Sequence, residues 1–185
     1  MIRFAVELLA GIPSVLYGVF GLGIIVPYVL KISPMAQGES LLATILVLAI
    51  MILPTVVSIS ETSISAVQKE YREGSYALGA SKIQTIFKVV LPAARSGIMT
   101  GVILGIGRAI GETMAVMLVC GNPIAGIPTS LFDQIRPLTT NIALEMGYAS
   151  GVHQELLYST GVVLFIFIMI INLAVNKLVK AKVGS

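Results

Sequence analysis

Arg108 and Glu112 carry the only charges in the otherwise apolar stretch of residues 96–132. An ionisable side chain at the centre of a membrane-length segment costs about 2.5–3.5 kcal/mol, so it is retained where it faces a bundle interior or a polar path. A guanidinium matches an oxyanion through two parallel N–H donors, and a carboxylate four residues on can pair with it. At about 100° per residue along a continuous helix, Gly97, Gly101, Gly105, Arg108 and Glu112 fall within about one-quarter of the circumference. That face is glycine in its first half and a charge pair beyond. Glycines at four-residue spacing let membrane helices pack closely. Two readings stay open. Either the face is a packing seam closed by a structural Arg108–Glu112 salt bridge, or it lines a path where Arg108 meets an anion and Glu112 positions or modulates it. Gly105-x-Gly107-x-x-x-Gly111 is no dinucleotide fingerprint, because its last interval is wrong and it lies in a span.

The elements that must position these residues are set by composition. The chain is 56% hydrophobic and 11% charged, with a mean hydropathy of +0.97. Soluble domains carry about 25% charged residues, and so little polar material cannot cover this much apolar surface. Residues 8–30, 40–60 and 156–176 hold no charge at all. A spanning helix needs about 20 largely apolar residues. The expectation is an all-α polytopic membrane protein, one domain over residues 1–185, with spans at about 12–30, 41–60, 96–120 and 156–178. Pro13, Gly18, Gly21, Gly23 and Pro27 predict a bent or interrupted first span, and Pro54 a kink in the second. Gly121-Asn122-Pro123 reads as a stop, while the composition of 121–155 leaves its fold undecided. Three further hydrophobic segments make the first one a poor signal peptide. Cys120 stands alone, which excludes an intrachain disulfide, and His153 has no second His or Cys nearby, so neither metal nor cofactor is expected.

Twelve basic residues against nine acidic ones give a formal charge of +3, and their distribution points to topology rather than to nucleic acid. Lys69, Arg72, Lys82, Lys88 and Arg95 fall in the 61–95 connection, Lys177, Lys180 and Lys182 in the tail, and Arg3 before the first span. The 31–39 and 121–155 connections hold only Lys31 and Arg136. Basic loops stay cytoplasmic, so both termini and the 61–95 loop are expected there. Asp133 and Arg136 either cap a short outer helix or contact a partner.

The cytoplasmic loop is longer than a turn requires. Residues 61–77 support a helix, Leu78-Gly79-Ala80-Ser81 interrupts it, and Ser81 with Gln84 forms a capping box for a second helix over 82–90. Pro92 permits a further helix start. Tyr71, Tyr76, Leu78, Ile83, Ile86 and Phe87 are read as packing residues. The loop either rests on lipid headgroups or docks a cytosolic protein. Glu73-Gly74-Ser75, three residues, Gly79, nine residues, then Val89-x-Leu91-Pro92 resembles the EAA loop of permease subunits in ABC importers. There the pattern is Glu-Ala-Ala, three residues, Gly, nine residues, Ile-x-Leu-Pro. Gly74-Ser75 replaces Ala-Ala, and Val89 replaces Ile. The resemblance implies a coupling helix seated in a groove of a cytosolic ATPase, with Glu73, Gly74, Gly79, Leu91 and Pro92 at the coupling positions.

Gly105-Ile-Gly107-Arg108-Ala109-Ile110-Gly111-Glu112-Thr113 is similar to the Arg-Ala-Ile-Gly-Glu-Thr signature of the two homologous membrane subunits of bacterial phosphate importers. Met114-Ala115-Val116, Leu138-Thr139-Thr140-x-Ile142-Ala143 and Gly151-x-His153 look like the C-type subunit. Glu7 to Val15 resembles the approach to the third span of six-span members, so the chain is read as an N-terminally truncated piece or an incomplete gene reading. The resemblance implies a bacterial inner-membrane subunit with Arg108, Glu112 and Thr113 on the phosphate path, Gly97, Gly101 and Gly105 in helix packing, and alternating access driven by ATP. The implied partners are a second homologous permease subunit, a pair of cytosolic ATPase subunits, a periplasmic phosphate-binding protein, inorganic phosphate and the lipid bilayer. No Gly-x4-Gly-Lys-Ser/Thr loop is present, so nucleotide is expected on the ATPase, and the chain itself is not read as an enzyme. Rival readings are a permease for sulfate or molybdate, a passive channel, and a non-transporting structural or sensory subunit.

Overall fold

The computed structural model describes residues 6, 8–32, 37–124 and 126–183; Arg3 and Glu7, used above, lie outside them. The described chain is helical: α1 (Ser14–Ile32), α2 (Leu41–Ser65), α3 (Lys69–Ala77), α4 (Lys82–Ile110), α5 (Met114–Val119), α6 (Leu138–Glu145) and α7 (Val152–Val183). Among the described residues the only extended pairing is a single parallel bridge between Gly121 and Ile135. Four helices, α1, α2, α4 and α7, are long and apolar enough to cross a membrane.

Prolines shape these helices. α1 contains a π turn at Gly21–Ile25 and α4 another at Ile86–Val90. Each lies just upstream of a proline, Pro27 and Pro92. A proline ring crowds the carbonyl one turn back and offers it no N–H, and a widened turn relieves both problems locally. α4 therefore runs unbroken through Pro92, where a fresh helix start was expected. It also begins well before residue 96 and ends at Ile110, so the expected continuous span over 96–120 is replaced by two helices, α4 and α5, separated by Gly111-Glu112-Thr113.

The chain divides into two compact units. One is built on Gly11–Ile52 and Arg108–Ile171. Its core is Tyr17, Ile25, Val26 and Val29 of α1, Ala43, Val47 and Met51 of α2, and Ala115 and Val119 of α5. Missing side chains make this packing possible. A Cβ on Gly18 would lie 2.8 Å from Ala115 Cα, and one on Gly21 would strike Val47 and Val119. All four N–H groups that open α2 find partners. Ser40, Leu41 and Leu42 donate to the carbonyls of Val119 (3.0 Å), Asp133 (2.9 Å) and Leu131 (2.7 Å). The Ala43 N–H donates to the buried Ser40 hydroxyl at 3.2 Å. Unmet N–H groups at a buried helix start would be costly, so this arrangement fixes the backbone around residues 119 and 131–133.

The other unit is built on Leu53–Gly107. Here α4 lies close on the second half of α2. A Cβ at Gly97 would land on the Ser63 hydroxyl, and one at Gly101 would sit 3.1 Å from Ile59 Cβ and 3.3 Å from the Val56 carbonyl. Gly105 is buried as well.

Candidate functional site

Arg108 occupies the last turn of α4. A cation is favoured there by the carbonyl end of the helix, by about 0.3–1 kcal/mol at exposed sites. The helix stops two residues later at Ile110, and the Glu112 N–H closes a tighter turn onto the Ala109 carbonyl at 3.3 Å. Glu112 is thus not on the helical face projected from a continuous count, and among the described residues no ion pair joins it to Arg108. Instead its Oε1 accepts the Ala115 N–H at 3.1 Å. That N–H belongs to the first turn of α5, where a carboxylate is favoured for the reason a cation is favoured at the opposite end. Two more bonds hold the segment. Thr139 of α6 donates its hydroxyl to the Glu112 carbonyl at 3.2 Å, and the Thr113 carbonyl accepts the Met117 N–H at 2.9 Å. The side chains of Glu112 and Thr113 are half-buried, and that of Arg108 is exposed on this chain. Glu112 is therefore oriented by α5 and α6. The sequence signal for the break was present in Gly-Glu-Thr followed by an apolar run, a helix-restart pattern.

A second constellation lies in the 61–95 loop. α3 ends in a Schellman motif: the Gly79 N–H donates to the Tyr76 carbonyl at 2.9 Å and the Ala80 N–H to the Ser75 carbonyl at 3.2 Å, with Gly79 left-handed at φ +81. The Ser81–Gln84 capping box then opens α4, with bonds of 2.9 and 3.3 Å. Glu73, Gly74 and Gly79 are exposed, and a Cβ at either glycine would meet nothing within 4 Å of this chain. Leu91 is half-buried and Pro92 is exposed in the first turn after the π segment. Among the described residues, the side chains read as packing residues are left exposed. Leu78 is 90% exposed, Ile83 69% and Phe87 66%, and Tyr71, Tyr76 and Ile86 are exposed too. Their apolar character did not say what would cover them.

The connection from 121 to 151 supplies a third cluster. Asp133 Oδ2 accepts the N–H groups of Thr129 (2.7 Å) and Ser130 (2.9 Å) and the Thr129 hydroxyl (3.0 Å). These donors, the Thr129 N–H above all, hold its carboxyl below the usual range. Glu145, at the end of α6, receives the Arg136 guanidinium on Oε1 and lies 3.4 Å from His153 Nε2 through Oε2. Its pKa is lowered, first by Arg136 and then by a hydrogen bond from Tyr148, whose own phenol is correspondingly raised. Asp133 thus closes a turn and Arg136 ties the two ends of α6, contacts that single-sequence reading left open.

Residues 1–184 match the family described as binding-protein-dependent transport system inner membrane component. The chain is 48% identical over 173 residues to the probable ABC transporter permease protein YqgH of Bacillus subtilis, covering 90% of this chain and 56% of that protein. It is 35% identical over 195 residues to the phosphate transport system permease protein PstC of Pasteurella multocida, covering 94% and 60%. The PstC of Mesorhizobium japonicum is 37% identical over 190 residues, covering 92% and 58%. The chain thus spans somewhat more than half the length of these relatives. No solved structure matches it.

Proposed function

Because the chain belongs to the binding-protein-dependent transport system inner membrane component family, we propose that it is a membrane-spanning subunit of an ATP-driven inorganic phosphate importer. In this reading it forms part of the phosphate path and takes its drive from a separate cytosolic ATPase pair through the 61–95 loop. It pairs with a second homologous permease subunit, and a periplasmic phosphate-binding protein delivers the anion. Family and helix content make it a multi-pass inner-membrane protein. In this reading the loop and the tail, which hold most of the basic residues, lie on the cytoplasmic side.

The observation that carries the phosphate reading is the place of Arg108. From Arg95 to Arg108 the helix rises about 20 Å at about 1.5 Å per residue. With Arg95 at the cytoplasmic boundary, Arg108 lies about two-thirds of the way through a hydrocarbon core of about 30 Å. The helix then breaks, and irregular backbone at that depth is tolerated where it is covered by protein or lines a polar cavity. A permanently charged fork beside such a break suits an oxyanion. One guanidinium is a weak site, as passage requires. The relatives named as phosphate permeases favour phosphate over sulfate or molybdate.

The test is phosphate uptake per intact complex in the full transporter. Arg108→Gln should lower it at least about tenfold, equivalent to about 1.4 kcal/mol of transition-state stabilisation, and Arg108→Lys should recover part of the loss. Glu112→Gln should change it far less, since an amide oxygen still accepts the Ala115 N–H. Wild-type uptake by an assembled Arg108→Gln complex would remove Arg108 from the path.

A further inference from the structure

α3 has no buried residue, so its apolar side chains do not fasten it to the rest of its unit. Two polar links do. Arg72 reaches back from α3 and donates through Nη2 to the Ile64 carbonyl at 2.9 Å. Ile64 lies in the last turn of α2, where its carbonyl also receives a long bond from the Val67 N–H at 3.4 Å and a cation is favoured. On the other side, the Ser75 and Thr85 hydroxyls are hydrogen-bonded at 2.9 Å. Thr85 lies in the first turns of α4 and is 1% exposed. Among the described residues these are the side-chain hydrogen bonds from α3 to its flanking helices. Arg72 is half-buried, and its Nε lacks a partner in the described structure, so the guanidinium is partly desolvated to reach that carbonyl.

We propose that Arg72 and the Ser75–Thr85 pair are positioning residues that transmit displacement of α3 into α2 and α4. The inference rests on the reading that α3 docks on an ATPase, and it specifies how the push leaves the docking helix. A load applied to exposed Leu78, Tyr76 and Tyr71 acts on a helix held by hydrogen bonds at two places, one to the end of each membrane-length neighbour. Without those bonds α3 is joined to α2 and α4 through the short backbone connections at 66–68 and 78–81, which can flex under load. The EAA pattern has Ala where this chain has Ser75, so the link to Thr85 is a property of this chain rather than of the pattern. Removing it should separate ATP hydrolysis from transport without unfolding the loop, since the Schellman turn at Gly79 and the Ser81 capping box stay intact.

The experiment uses the assembled transporter in proteoliposomes, with inorganic phosphate as the probe. Three quantities are measured: ATP hydrolysed, phosphate taken up, and crosslinking of a cysteine at position 78 to the ATPase in a Cys120→Ala background. Ser75→Ala and Thr85→Val should keep the crosslink and hydrolysis but lower phosphate moved per ATP by about fivefold, within the range known for coupling perturbations. Thr85→Ser, which restores a hydroxyl, should recover the ratio. Arg72→Gln should lower it, and Arg72→Lys, which still donates to a carbonyl, should lower it less. Ser75→Ala places the best helix former at that site, so misfolding does not confuse its result. An unchanged ratio in crosslinked Ser75→Ala and Arg72→Gln complexes overturns the tether. Absence of the crosslink when the loop carries the position-78 cysteine and no other substitution overturns the docking reading instead, and the tether falls with it.

Discussion

The two long connections of this chain are of similar length and opposite construction. The 61–95 loop is shaped by bonds between near neighbours: a Schellman turn at Gly79, a capping box at Ser81, and an Arg72 that reaches back eight residues. Its large apolar side chains face outward. The stretch from Gly111 to Gly151 is shaped from a distance. It hands carbonyls to the opening N–H groups of α2, pairs Gly121 with Ile135, and packs α5 into the core beside Gly18 and Gly21. A region built from local bonds keeps its shape while leaving a face for another protein. A region built from distant bonds keeps its shape only while the core around it is intact. Under the proposed function the first is the docking element, and the second holds the geometry of the anion path.

The largest expected effect tests that dependence on the core. In Gly18→Ala the new methyl would meet Ala115 Cα at 2.8 Å and the Ala115 carbonyl at 3.0 Å. Those are backbone atoms, so α5 must move, and overpacking of this kind costs about 1–3 kcal/mol. The Glu112–Ala115 bond moves with it. Thermal unfolding of the assembled permease in detergent should show a lower Tm for Gly18→Ala, while Gly74→Ala, which meets nothing within 4 Å, should leave it unchanged or slightly raised. Equal Tm values for the two variants would erase the contrast between the regions.

A smaller effect separates the two exposed glycines of the loop. Gly74 is helical, and alanine there should favour the helix by about 0.5–1 kcal/mol. Gly79 is left-handed at φ +81, and alanine there should cost about 1–2 kcal/mol. Neither methyl touches this chain. Helix content of a peptide covering residues 66–92, measured by circular dichroism, should rise with the first substitution and fall with the second. Uptake by the full transporter then sharpens the reading. If both variants lose uptake, the glycines matter for what approaches them from outside. If only Gly79→Ala does, that residue serves as a helix terminator.

What could be read from sequence divides along the same line. The capping box, the helix stop at Gly79 and the four apolar helices were legible because each signal lies within one or two turns of its effect. The break at Gly111 was not, because a face count presumes one continuous helix and so placed Glu112 beside Arg108. Restart chemistry was visible in Glu112 and Thr113, yet its decisive partners, Thr139 and the α1 glycines, are distant in sequence. Tyr71, Leu78 and Phe87 were legible as apolar but not as exposed, since residue type does not name a partner. Ser75–Thr85 and Arg136–Glu145 depend on which turns meet, and pattern alone does not supply that.

The smallest expected effect is the response of the 121–151 connection to acid. Asp133 and Glu145 both have lowered pKa values, the first from hydrogen bonds led by the Thr129 N–H, the second led by the Arg136 guanidinium. A folded carboxyl with a depressed pKa binds fewer protons than the same carboxyl unfolded. The stabilisation is therefore fully present above the ordinary carboxylate values of 3.8 and 4.5, and it is lost as pH falls through them toward the lowered folded values. Near neutral pH the connection should be insensitive to these two groups. Amide exchange, corrected for the intrinsic effect of pH, should show protection at Thr129, Ser130 and α6 holding down to about pH 5 and weakening below it. Asp133→Asn should weaken Thr129 and Ser130 selectively at neutral pH, because an amide oxygen accepts the same N–H groups without the charge. Glu145→Gln should act instead on α6 and the start of α7, since Arg136 and His153 lose a common carboxylate. His153 contacts Glu145 rather than Asp133, so His153→Gln should leave the acid-side loss at Asp133 unchanged. If protection at Thr129 and Ser130 persists through pH 3, the turn is held by its backbone alone. The connection would then resemble the 61–95 loop more closely than its contacts imply.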